Sequence, residues 1–166
     1  RRGGFGVVPG VVVVGAALLS LPFVAGYLHE NSQEEQARDV ISSSEERLAV
    51  LDHPAWVLRD AHEVQDGLRL TYQRPEDGLQ VYVLTRSNPD IEQGCDFPDV
   101  ECRSVDGSLL VHQSDGQLAE LRTRLPEGVL AGVVLPQGHV EDPSTISESL
   151  RPEHPGERVT LTENLL

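Results

Sequence analysis

The sequence predicts an α+β protein, with an N-terminal transmembrane helix followed by a small antiparallel sheet carrying helices on one face. Three observations predict it. Phe5 to Leu28 forms a run of 24 residues without a charge. After Pro54 the apolar residues alternate with a period of two. Helical spacing marks the stretch before Pro54 and a short stretch after Asp142.

The apolar run comes first. As a helix it would span roughly 36 Å, enough for a hydrocarbon core of about 30 Å. Such a helix satisfies its own backbone hydrogen bonds, as lipid demands. Arg1 and Arg2 precede it, and Glu30, Glu34 and Glu35 follow it. The positive-inside rule then sets a cytoplasmic N-terminus and an exported C-terminal domain. Residues 1–28 are thus expected to be a membrane anchor, with lipid contacted by residues 5–28. A cleaved signal peptide is the alternative, because Val24-Ala25-Gly26 offers small residues for cleavage. The chain contains no Met, so a native start upstream of Arg1 is expected.

Residues 29–54 are expected to form a helical stalk. Ser32-Gln33-Glu34-Glu35 matches a capping box, and Ala37, Val40, Ile41, Leu48 and Leu51 recur at spacings of three, four or their sums. Ser42-Ser43-Ser44 interrupts the stripe, and Pro54 ends it.

Residues 55–166 are expected to be the exported domain. Trp56-Val57-Leu58 reads as a short first strand. Leu68, Leu70 and Tyr72 alternate with polar residues, Pro75-Glu76-Asp77-Gly78 is a turn, and Leu79, Val81 and Val83 alternate again. This is a hairpin with one buried face. Arg86 to Arg103 reads as a loop. Leu109–Gln113 and Gln117–Leu125 flank Ser114-Asp115-Gly116 as a second hairpin. After the Pro126-Glu127-Gly128 turn, Val129–Leu135 is apolar on both faces and reads as a central strand. Asp142-Pro143 opens a short helix with Ile146 and Leu150 on its apolar side, stopped at Pro152. Arg158–Thr162 reads as a last edge strand.

Charge and cysteine usage narrow the function. The formal net charge is -14, and every basic residue is Arg. Such a field repels nucleic acid, which is excluded as a partner. Cys95 and Cys102 are the only cysteines. In an oxidising compartment they are expected to form a disulfide that closes a short loop. A zinc site would need further ligands, and no CxxC spacing is present.

The stretch Ser108–Pro152 carries a recurrent pattern. Its parts are Leu109-Leu110-Val111, the Asp115-Gly116 turn, Val133-Val134-Leu135 and a closing Ser149-Leu150-Arg151-Pro152. Over this quarter of the chain it resembles the exported domains of single-pass membrane proteins and anti-sigma-like sensors of high-GC Gram-positive bacteria. The resemblance implies a small sensor-like domain outside the cell membrane and supplies no catalytic residue.

Motifs for chemistry are sparse. The six histidines form neither HxH nor HExxH. Asp60-Ala61-His62-Glu63 reads as charged loop residues. Asp90, Glu92, Asp96, Asp99 and Glu101 surround the cysteine loop, and they are the candidate ligands for a hard cation such as Ca²⁺. The hydrolase motifs GxSxG and SxxK are missing, and so are the cofactor motifs GxGxxG and a phosphate loop. The sequence therefore points to a membrane-anchored exported interaction or sensor domain, non-catalytic, with an envelope protein as partner. Two alternatives stand beside it. One is an exported hydrolase whose Ser/His/Asp site meets only in space. The other is a structural subunit of a membrane complex.

Overall fold

Serine hydroxyls set the first boundary of the fold. In the computed structural model, which describes residues 33–113, 119–135 and 143–165, helix α1 covers residues 33–43. Ser42 Oγ donates to the carbonyls of Arg38 (2.8 Å) and Asp39 (3.2 Å), and Ser43 Oγ to that of Val40 (3.4 Å). These bonds compete with continuation of the helix. Arg158 then takes the exposed carbonyl ends, donating to Ile41, Ser44 and Glu46. The expected helix through Leu51 is thus corrected. It ends at Ser43, and Ala49–Leu51 is strand β1.

The remaining strands are β2 (Val57–Val64), β3 (Gly67–Gln73), β4 (Gln80–Arg86), β5 (Val100–Val105), β6 (Ser108–Gln113), β7 (Ala119–Arg124), β8 (Leu130–Leu135) and β9 (Leu150–Pro152). Two further helices are α2 (Pro143–Ser147) and α3 (Glu157–Glu163). β1 pairs antiparallel with β9, Ala49 opposite Pro152. The other seven strands form one antiparallel sheet in the order β2-β3-β4-β8-β7-β6-β5. It consists of two meanders, β2 to β4 and β5 to β8, joined where β4 pairs with β8.

The β3–β4 hairpin is as expected. Asp77 accepts from Leu79 N–H at 3.1 Å and from Arg74 at 2.6 Å, and Gly78 takes φ 74°. Asp106 (φ 46°) and Gly107 (φ 82°) make the tight turn between β5 and β6. β8 is buried at all six positions, as a central strand should be.

The core lies on one face of the sheet. Leu68, Leu70, Tyr72, Val81, Val83, Ala131 and Val133 join Ala37 and Ile41 of α1, the whole of β1, Ile146 of α2, Leu150 of β9 and Leu161 of α3 in one cluster. This is the expected α+β layering, an antiparallel sheet with helices on one face. The stalk reading is corrected from Glu34 onward. That stretch belongs to the same compact unit as the sheet, Glu34–Leu166, and buries its apolar residues there.

Other local readings also change. Arg158–Thr162 is helical, within α3. Leu161 and Leu165, four apart, are buried, whereas Val159 is 62% exposed, so the apparent alternation had no buried face. Leu150 belongs to strand β9 and not to the α2 helix, because β1 offers it a partner. Asp60-Ala61-His62-Glu63 lies on strand β2, which runs to Val64 after an irregularity between Leu58 and Asp60. The cysteine loop ends at Asp99, since Val100–Val105 pairs with β6.

The expected anchor (residues 5–28), the stalk start (residues 29–32, with capping Ser32), the 114–118 turn and Asp142 lie outside the described residues. Among the described residues, no helix is long and apolar enough to cross a membrane.

Candidate functional site

Topology creates the site. β4 is the third of the seven strands, and β5, next in sequence, sits at the far edge of the sheet. The connection, residues 87–99, must therefore pass β8, β7 and β6, about 19 Å at roughly 4.8 Å per strand. Register shows which face it crosses. Leu121 of β7 stands opposite Val133, a core residue, so Glu120, Arg122 and Arg124 project from the face away from the helices.

Those arginines hold the crossover down. Arg122 Nη1 donates to the carbonyls of Ile91 (3.0 Å) and Gln93 (2.6 Å), and Arg124 Nη2 to that of Pro89 (2.8 Å). The third tether is covalent. Cys95 in the crossover is disulfide-bonded to Cys102 of β5, with Cα atoms 5.8 Å apart. The expected disulfide is thus present, and it staples the connection to the edge of the sheet.

Beneath the crossover lies a buried charge cluster. Glu120 and Arg122 are each 6% exposed. Arg86 grips the Glu120 carboxylate with two bonds, Nε to Oε1 at 2.8 Å and Nη2 to Oε2 at 2.7 Å, and Arg122 Nε adds a third to Oε2 at 3.0 Å. Asp66 lies 3.8 Å from Arg86 Nη1. The carboxylate fits because Gly132 of β8 has no side chain. A Cβ there would stand 2.2 Å from Glu120 Oε1. A forked Arg–carboxylate pair of this kind fixes orientation as well as charge.

A cavity of about 280 Å³ opens beside this cluster, lined by Arg86, Gln93, Phe97, Val111, Glu120 and Arg122 among others. Gln93 Oε1 is buried there without a hydrogen-bond partner among the described residues. Phe97, at the rim on the stapled loop, is 66% exposed. The lining therefore combines an unused acceptor, guanidinium donors and apolar surface, a chemistry suited to binding.

The expected cation ligands are not gathered here. Asp90, Glu92, Asp96, Asp99 and Glu101 are all exposed. Asp90 Oδ1 accepts from Glu92 N–H at 3.0 Å. Glu101 pairs with His112 and projects opposite to neighbouring Cys102. Among the described residues, no group of three or more His, Cys, Asp or Glu side chains converges as metal ligands. His62 and Asp60 do meet, Nε2 to Oδ2 at 2.6 Å, as neighbours on one face of β2.

Sequence reasoning overlooked Arg86, Gln93, Glu120, Arg122 and Gly132. One signal was available: Glu120 and Arg122 flank Leu121 in a strand with apolar neighbours, and Gly132 interrupts the apolar run of β8. Comparison with protein-family models, with curated proteins and with solved structures returned no match for the chain.

Proposed function

We propose that the chain is a membrane-tethered, exported interaction domain that recognises an envelope protein without catalysing a reaction. The observation that carries this reading is the triply tethered crossover. A disulfide, Arg122 and Arg124 hold residues 87–99 against the sheet while Phe97 stays exposed at its tip. A loop held in one shape before binding loses less entropy when a partner arrives, and exposed aromatic side chains are common interface anchors. The disulfide suits an oxidising compartment. The uncharged run at 5–28, with Arg1 and Arg2 before it, supports an uncleaved anchor. The partial resemblance to exported domains of single-pass membrane proteins of high-GC Gram-positive bacteria points the same way.

The test uses the full chain in a high-GC Gram-positive host. An alkaline phosphatase fused after Leu166 should be active, and Cys95 and Cys102 should resist alkylation until reduced. A photo-crosslinking residue at Phe97 should trap a single envelope protein, and one at exposed Val159 should not. An inactive fusion, free thiols, or equal trapping from both positions would overturn the proposal.

A further inference from the structure

A second cavity lies on the opposite, helical side of the molecule. It measures about 500 Å³ and sits between β1, the 52–56 loop, the start of β2 and helix α3. Its apolar surface includes Leu58, Leu161 and Trp56. Volumes of this order suit small-molecule ligands.

The polar groups around it are arranged unequally. Arg151 is fully engaged by carboxylates. Its Nε donates to Asp52 at 2.8 Å, and Nη1 and Nη2 donate to Glu157 at 2.8 and 2.6 Å. Glu163 adds a further negative charge at the rim. One cation thus faces three carboxylates, and the local field disfavours an anion. Tyr72 is different. It is 3% exposed, and its hydroxyl oxygen accepts Leu51 N–H at 3.2 Å. Among the described residues no acceptor takes the hydroxyl's own proton. A hydroxyl carries one donor besides its acceptor sites. Burial, the largest influence, holds Tyr72 above the ordinary tyrosine range, so the proton stays on in neutral solution.

We infer that this cavity binds a small uncharged molecule with an apolar body, whose carbonyl or hydroxyl oxygen accepts a hydrogen bond from Tyr72. The apolar body lies against Leu58, Leu161 and Trp56. The carboxylate rim excludes anionic analogues. A purely structural Tyr72 would fasten β1 to the sheet through Leu51 and recognise nothing.

Trp56 reports on the cavity directly, because it is the only tryptophan of the chain. The experiment titrates the full chain in phosphatidylcholine vesicles with N-acetyl-leucine methylamide, which is uncharged, and with N-acetyl-leucine, which is anionic at pH 7. Both are transparent where Trp56 is excited. The uncharged probe should change Trp56 emission saturably in the millimolar range. Tyr72→Phe should weaken it by about 2- to 13-fold, the value of one net hydrogen bond. The anionic probe should bind more weakly than the uncharged one. No saturable response, an affinity unchanged in Tyr72→Phe, or an anion bound as tightly as the neutral probe would each overturn the inference. If Tyr72→Phe fails to fold, the comparison of the two probes on the unaltered chain decides alone.

Discussion

Gly132→Ala isolates the buried charge cluster with a single methyl group. In an ordinary strand this change helps, because alanine loses less backbone entropy on folding and gains about 0.4–1 kcal/mol. Here the added Cβ would lie 2.2 Å from Glu120 Oε1 and 3.1 Å from its carboxyl carbon. Ordinary contact needs about 3.4 Å, so the carboxylate must retreat by more than an ångström. Its bonds to Arg86, now 2.8 and 2.7 Å, would then exceed hydrogen-bond range. Breaking a buried ion pair costs about 3–5 kcal/mol, because each charge left behind has already lost its water. Less the entropic gain, the net loss is about 2–4 kcal/mol. With a urea m-value of about 2 kcal/mol/M, the midpoint should fall by roughly 1–2 M. The assay is urea unfolding followed by Trp56 emission. Repeating Gly132→Ala in a Glu120→Ala background removes the clashing oxygens, and there it should be neutral or stabilising. An unchanged midpoint for Gly132→Ala alone, or the same loss in both backgrounds, would refute the lodging of the carboxylate over Gly132.

Other consequences can be measured on the same protein. Reducing the Cys95–Cys102 bond should lower unfolding free energy by about 2.5 kcal/mol in the chain-entropy model, read as the midpoint difference with and without reductant. Arg122→Met should release the crossover, so amides of residues 91–95 should exchange with solvent faster while those of β3 keep their protection. Arg151 holds the Glu157 carboxyl below its ordinary value of 4.5. That contribution is therefore present above pH 4.5 and is lost as pH falls through the lowered folded value; Glu157→Gln should flatten stability over this acid window. Arg74 likewise holds exposed Asp77 at about 2, so its carboxyl carbon should titrate near there by NMR, and Arg74→Gln should return it toward 3.8.

The charge cluster has a structural logic beyond its contribution to stability. Replacing a buried ion pair with apolar side chains is often neutral or favourable for folding. Arg122, however, does two things at once. Its Nε answers Glu120, and its Nη1 binds two carbonyls of the crossover. A leucine there would pack but would leave those carbonyls without a partner. The cluster thus selects one path for residues 87–99 across the sheet.

Periodicity made much of the sheet legible. The β3–β4 hairpin and the strand pairs around 108–125 follow from alternation, and the buried β8 from an apolar run on both faces, with turns built on Pro, Asp and Gly between them; all of these act over a few residues. The cysteine pair was legible too, because two isolated thiols seven positions apart have few other uses in an oxidising compartment. Elements stabilised by distant partners were not. Ala49–Leu51 is a strand only because Leu150–Pro152 lies beside it, and α3 is a helix whose buried residue, Leu161, is defined by the core it meets. Local sequence carries propensity and pattern, and these favour a structure without choosing its neighbours. The join of β4 to β8, the passage of residues 87–99 over the open face, and the meeting of Arg86, Glu120 and Arg122 above Gly132 are long-range events. Only tertiary packing decided them, because a buried charge is tolerated solely where its counter-charge and its space arrive together.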